Sequence, residues 1–394
     1  MELTVQNGAF LLLIAVVVAM LTQKLDLPYS AGLVAAGIGL AFFRFSPEVA
    51  LTKDLLFTVL LPPLIFQAAF YIDWRRLRVE LGVVVVLATL GVVLSAGITT
   101  VGMHYFAKWQ WISAAAFGVL IAATDPVSVI ATLREAGARG RLPLLLEAES
   151  LFNDGTAAVG FVMVLNLLHG HAPTALSASW NLVRMAGGGI ACGVVVAALA
   201  LFLAGNTQDH LVELALTTVA AYGSFLLAER LEMSGVLATL SAGLTLGNVG
   251  RGRISNRGKE VLQDFWEYAA FVTNSLIFLL MGMRVAMQDF LAVWLPAVIA
   301  ILLVTLGRAA AVYPPCLLFQ ATRVRVPALY QNFLFWGGLR GALALALALA
   351  LPPEIPHRDE IVTVSFAVVA FSIFVQGLTM KPLMRAADQL PRAA

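Results

Sequence analysis

Runs of about twenty apolar residues recur from one end of this 394-residue chain to the other, each long enough to cross a hydrocarbon core of about 30 Å. An isolated segment in that core has no water to bond, so it satisfies its N–H and C=O groups only by forming a helix. The stretch from Ala342 to Ala350 alternates Ala with Leu and has strand period taken alone. Both residues are strong helix formers, and an open strand is untenable in lipid, so a helix is expected there too. Charged residues make up only 12% of the chain, against about 25% in soluble domains. The fold class is therefore an all-α polytopic membrane protein. A net charge of +2, carried in short loops, offers no nucleic-acid surface. Only Glu2 precedes the first apolar run, Phe10 to Leu21, which lacks a basic leader and reads as a spanning helix rather than a cleaved signal. Cys192 and Cys316 fall inside apolar segments, where packing is their expected role.

By length, about thirteen segments span: 4–23, 29–43, 52–70, 78–105, 111–133, 143–168, 178–204, 210–229, 233–249, 260–286, 289–319, 327–350 and 360–385. The connectors after segments 3, 5, 9 and 11 are strongly basic: Arg75, Arg76 and Arg78; Arg134, Arg139 and Arg141; Arg251, Arg253, Arg257 and Lys259; Arg323 and Arg325. Lys381, Arg385 and Arg392 mark the C-terminal end, whereas the other connectors hold scattered bases such as Arg44, Lys108, Arg230 and Arg358. The positive-inside rule places the odd connectors and the C-terminus in the cytoplasm and the N-terminus outside. One transmembrane domain over 1–394 is expected, in a cell membrane, with no soluble regulatory domain.

Acids stand out against this background. Segment 5 carries Ala-Ala-Thr-Asp-Pro-Val-Ser from Ala122, and segment 6 carries Glu-Ala-Glu-Ser-Leu-Phe-Asn-Asp ending at Asp154. A carboxylate at the bilayer centre costs at least about 2.5–3.5 kcal/mol on insertion scales, so such a group marks function. At 1.5 Å per residue, Asp125 lies about 20 Å in from the outside, and Asp154 about 16 Å in from the cytoplasm. The two meet near mid-membrane from opposite faces. Pro126 lacks an N–H and disfavours helical geometry at Asp125. An ordinary proline kink is one outcome; with the aspartate beside it, a broken helix whose freed groups build a site is favoured.

On segment 6, Ser150, Asn153 and Asp154 share a face by i+3 and i+4 spacing. Glu149 sits about 100° away and looks toward another neighbour. Glu147, two turns below Asp154, is a solvated end residue or part of an entry funnel. Arg308 lies at roughly the depth of Glu149, and an ion pair between them is the simplest way to bury both. Arg340, among glycines that allow close helix approach, either pairs with a carboxylate or holds carbonyls freed at a helix break. An inverted repeat would require a counterpart break in segment 12, at Gly337–Gly338, or in segment 13, near Ser372, Gln376 and Gly377.

Five ordered motifs carry a resemblance: Leu-Pro-Pro-Leu-Ile-Phe at 61–66, Ala-Thr-Asp-Pro-Val at 123–127, Glu-Ser-Leu-Phe-Asn-Asp at 149–154, Gly-Gly-Leu-Arg-Gly-Ala at 337–342 and Val-Gln-Gly-Leu-Thr at 375–379, with Arg308 between them. Over nearly its whole length the chain resembles the sodium/proton antiporters of the monovalent cation:proton antiporter family, of NhaP and NHE type. The resemblance implies thirteen helices and inverted repeats over approximately 4–168 and 210–385, with 178–204 as linker. It also implies a dimerisation unit, a mobile core unit, a homodimer, and crossing breaks in segments 5 and 12. It implies that Asp154 is the carrier, that Asp125, Thr124 and Ser150 help build the Na+ site, and that Glu149 and Arg308, with Arg340, are structural. Asn153 before Asp154 resembles the electroneutral branch, exchanging one cation for one proton. Many relatives carry an acid where this chain has Gln67 on the pathway, which bears on cation preference.

Exchange requires one site that proton and cation cannot occupy together, and hard oxygen ligands suit Na+ or Li+. The expected partners are a monovalent cation, a proton and the lipid bilayer. No Gly-x-x-x-x-Gly-Lys-Ser/Thr loop is present to use ATP, and no cofactor is expected beyond the transported ions. A K+/H+ antiporter is the near rival, and a cation channel a rival of another class. An enzyme is disfavoured: there is no His-Glu-x-x-His, and His169 and His171 read as solvated loop residues.

Overall fold

The computed structural model of the protein describes residues 5–25, 27–42, 52–125, 129–130, 133, 140–168, 175–205 and 207–388. Pro126, Arg44, Arg134, Arg139, His169, His171 and Arg392 lie outside the described residues. The described chain is nearly all helix. Its elements are α1 (Val5–Leu25), α2 (Tyr29–Phe42), α3 (Leu55–Tyr71), α4 (Trp74–Phe106), α5 (Trp111–Leu120), α6 (Arg141–Leu168) and α7 (Ala175–Ala204). There follow α8 (His210–Arg230), α9 (Gly235–Val249), α10 (Asn256–Ala286), α11 (Trp294–Leu317), α12 (Ala328–Trp336), α13 (Ala342–Leu349), α14 (Arg358–Phe371) and α15 (Leu378–Asp388). Among the described residues, eight helical spans are long and apolar enough to cross a membrane, and shorter apolar helices lie between them. Apolar side chains such as Leu13, Leu199, Phe202 and Leu302 face outward, as lipid contact requires.

The helices sort into two bundles. One, here the scaffold, contains α1, α2, α3 and α7 to α10; the other, the core, contains α4 to α6 and α11 to α15. The chain visits them alternately, twice each. Scaffold helices approach closely through glycine: a Cβ on Gly37 of α2 would strike the backbone of Leu279 and Gly282 in α10. The absence of side chains there replaces the hydrophobic drive that lipid removes.

Three boundaries differ from the hydropathy reading. The basic residues Arg75, Arg76 and Arg78 lie in the first turns of α4, which starts at Trp74 after Asp73 accepts a bond from the Arg75 N–H at 2.9 Å. A charged, exposed first turn dilutes the apolar signal, so hydropathy starts the helix late. Likewise α10 begins at Asn256, before Arg257 and Lys259. Segment 12 is two helices rather than one, interrupted between Trp336 and Ala342. The Ala-Leu stretch is helical throughout Ala342–Leu349.

Pro62 and Pro63 each lack a donor, and the turn before them, Leu55–Leu60, widens to a π-helix. A second π-helical stretch, Ser372–Gly377, joins α14 to α15. Segment 13 is thus widened at Ser372 and Gln376 but not broken.

Candidate cation site at the helix crossover

The interruptions in segments 5 and 12 meet. After α5 ends, residues Ala123 to Asp125 run extended; after α12 ends, so do the residues around Leu339. The Asp125 N–H donates to the Leu339 carbonyl at 2.8 Å, and the two residues form an antiparallel bridge. Extended chain at this depth is tolerated because it is buried in protein, and Thr124, Leu339 and Arg340 are all buried.

A helix that stops inside a bundle leaves its last carbonyls unsatisfied. Here two arginines take carbonyls at or just past the two helix ends. Arg340, 2% exposed, sends its guanidinium to the carbonyls of Ala122 and Ala123, at 3.3 and 3.5 Å. Arg308 donates from Nε and Nη2 to the Leu334 carbonyl in the last turn of α12, at 3.1 and 2.8 Å. Both charges sit at helix C-termini, where the macrodipole favours a cation. Of the two roles open to Arg340 from sequence, the carbonyl role is the one present. Among the described residues no carboxylate lies within ion-pair distance of it, so Arg340 stands apart from the Glu149–Arg308 pair. On its other side, Ser372 Oγ accepts from the Arg340 backbone N–H at 3.1 Å, so the π-helical stretch packs on the crossover.

Arg308 also makes a two-point ion pair with Glu149, at 2.7 Å (Nη1–Oε1) and 3.0 Å (Nη2–Oε2), the residues being 3% and 2% exposed. Asn153 donates to the same Glu149 at 3.3 Å, one turn along α6. Asn153 therefore turns toward the ion pair and is not among the residues lining the cavity, although its spacing placed it with Ser150 and Asp154. The i+3 and i+4 positions differ by about 100° on the wheel, which is enough to separate Asn153 from Asp154.

A cavity of about 880 Å³ lies between the bundles. Thr124, Asp125, Glu147, Ser150 and Asp154 line its core wall, while Tyr29, Ser30, Gln67 and Asn274 line the scaffold wall. The Thr124 hydroxyl donates to Ser150 Oγ at 3.1 Å, and the Ser150 hydroxyl donates to the Thr124 carbonyl. This pair fixes the α6 face against the extended strand. Asp154 Oδ1 is buried with no hydrogen-bond donor. The Asp125 side chain packs on Gly341, where a Cβ would overlap its carboxylate. Glu147 is half-buried within the lining, while Gln23 and Glu267 are exposed at the mouth.

Sequence reasoning missed one polar clamp. Arg141, read as a connector base, is the first residue of α6; it pairs with Glu80 at 2.6 and 2.8 Å and donates to the carbonyls of Val324 and Arg325 at 2.6 and 2.7 Å. Glu80 is a lone acid two residues after a run of arginines, and its burial against α6 leaves no mark in local sequence. Ser372 was likewise visible only as one of several small polar residues in segment 13.

Two interrupted helices crossing at mid-bundle, beside an acid-lined cavity between two bundles, define a multi-pass membrane transporter. Residues 11–386 match the sodium/hydrogen exchanger transmembrane family, and the chain belongs to that family of monovalent cation:proton antiporters. It is a transporter and not an enzyme. It is 38% identical over 362 residues to the Na+/H+ antiporter ApNhaP of Aphanothece halophytica, covering 91% of this chain and 69% of that one. It is 36% identical over 347 residues to the Na+/H+ antiporter NhaP of Pseudomonas aeruginosa, covering 84% and 81%. The sodium proton antiporter MjNhaP1 of Methanocaldococcus jannaschii shares the fold, with a TM-score of 0.76 at 19% identity over 96% of this chain and 97% of that one.

Proposed function

We propose that this chain exchanges Na+ or Li+ for H+ across a cell membrane, with Asp154 holding either the cation or the proton. The observation that carries this reading is the buried, donorless Asp154 Oδ1 in a cavity shared with Asp125, Thr124 and Ser150. A carboxylate oxygen with no protein donor leaves its lone pairs to a proton or a hard cation. Side-chain and carbonyl oxygens nearby can replace part of an alkali ion's hydration shell. The two ligands compete for the same atoms, which couples their gradients without ATP. Asp125 shares the negative charge, Glu149 and Arg308 hold α6 in place, and Asn153 braces Glu149.

Alternating access follows if the core rocks against the scaffold. The cavity is lined by the C-terminal end of α1, the start of α2, Glu147 in the second turn of α6, and Lys381 of α15. On the charge-bias topology all of these are cytoplasmic ends, which supports an inward-open state with the N-terminus outside. The alternating visits of the chain to the two bundles support repeats over approximately 4–168 and 210–385, and the family likeness supports a homodimer.

The test is exchange in everted vesicles carrying a pH-sensitive dye. Na+ and Li+ dissipate an imposed proton gradient, and Asp154→Asn reduces this to background. Indifference to a valinomycin-clamped potential is expected for one-for-one exchange. Retained exchange in the Asp154 variant defeats the assignment; a response to K+ alone makes the chain a K+/H+ antiporter; leak without countertransport makes it a channel.

A further inference from the structure

Among the described residues, core and scaffold also touch at the end opposite the cavity mouth. Thr363, in the second turn of α14, donates its hydroxyl to Gln288 Oε1 at 2.7 Å. Gln288 lies just past the C-terminal end of α10, so this bond joins a core helix to a scaffold helix. The Gln288 amide is held in turn by its own Nε2, which donates to the Arg284 carbonyl at 3.4 Å, and both residues are half-buried. Deeper on the same side, Gly155 follows Asp154 directly, and a Cβ there would overlap the side chain of Leu237 in α9. The closed half thus has two layers: a leucine seated on a glycine beside the carboxylate, and a hydroxyl–amide bond at the rim.

We propose that Thr363 and Gln288 form the latch that holds the bundles closed at this end, and that Gly155 and Leu237 form the seal beneath it. The proposal rests on the alternating-access reading, because opening toward the other side of the membrane must separate α14 from the end of α10. Neither latch residue lines the cavity, so the bond acts on the balance between the two states and not on ion binding itself. The worth of one such bond corresponds to about a two- to tenfold change in that balance. A Thr363→Val change keeps the shape of the side chain and deletes the donor; Thr363→Ser keeps the donor.

The experiment places a single cysteine at Ala68, half-buried on the scaffold wall of the cavity, in a background with Cys192 and Cys316 replaced by alanine. Labelling by a membrane-impermeant maleimide from the face where the cavity opens reads the population of that state without requiring exchange. Thr363→Val and Gln288→Leu each slow labelling by the amount that corresponds to an about two- to tenfold fall in the ratio of the two states, the double variant is no slower than either alone, and Thr363→Ser labels at the parent rate. Unchanged labelling in Thr363→Val, or additive effects in the double variant, overturns the latch. If Thr363→Val does not fold, the Gln288→Leu and Thr363→Ser pair decides on the same criteria. Failure of the antiport reading shows separately, as absent exchange in the parent protein.

Discussion

The two bundles solve the same problem, packing helices in lipid, by opposite means. The scaffold uses near-continuous helices brought together by glycine, as where Gly37 meets Gly282. It faces the interior of the cavity with the neutral groups Tyr29, Ser30, Gln67 and Asn274, and carries its cavity-lining acid, Glu267, exposed at the mouth. Its one deeply buried acid among the described residues, Glu213, lies in the first turn of α8 and accepts from the Ser255 N–H and hydroxyl at 2.8 Å each, at the start of α10. The core instead interrupts two helices and buries Glu149, Arg308 and Arg340 to satisfy the ends so created. Irregular backbone and buried charge therefore occur together, each supplying the partner that the other needs. In the scaffold the irregular backbone is confined to the widened turn Leu55–Leu60, and the buried acid Glu213 is held by Ser255 and does not line the cavity.

Substitutions that separate the bundles by effect test this contrast. The largest effect on stability is expected from Glu149→Gln, which leaves Arg308 as a buried charge without its counter-ion. Removing one partner of such a pair costs about 3–5 kcal/mol, read as loss of the monodisperse fraction and a lowered Tm in detergent. Gly37→Ala follows, because the new methyl meets backbone rather than a flexible side chain; overpacking of this kind costs about 1–3 kcal/mol. What remains folded should keep the parent's pH dependence of cation KM, since the proposed site takes no ligand from the scaffold. A changed pH dependence would erase the division of labour drawn here.

The smallest and most diagnostic effect belongs to Ser150→Ala. Loss of one hydroxyl from the proposed cation shell raises the apparent cation KM by about two- to tenfold, and loss of its two buried hydrogen bonds with Thr124 lowers Tm by less than the broken ion pair does. On the proposed competition of proton and cation, KM rises as pH falls in parent and variant alike. The variant curve is displaced upward and keeps its shape, because the hydroxyl serves the cation and not the proton. An unchanged KM would remove Ser150 from the cation shell.

The all-helical fold, the meeting of Asp125 and Asp154 at one cavity and the partnering of Glu149 with Arg308 were legible because lipid leaves so few choices. An ionised group at that depth must have a partner, and helix rise says which residues reach it. The residues alone left the second break open between segments 12 and 13, and the family resemblance pointed to segment 12; Arg340's choice of carbonyls over a carboxylate depends on where α5 stops. The turn of Asn153 toward Glu149 and the clamp of Glu80 by Arg141 come from helix rotation and bundle packing, which no single segment encodes.

The two carbonyls at the end of α5 are covered by a guanidinium 217 and 218 residues further along the chain. At ribosomal rates of about 5–20 residues per second, Ala122 and Ala123 enter the membrane roughly 10–45 s before Arg340 has been translated. For that interval the nascent first half carries a helix end without its native cover, and translocon or water stands in until the second half arrives. Chains halted before residue 340 should consequently be quality-control substrates, whereas chains halted soon after α15 can complete assembly.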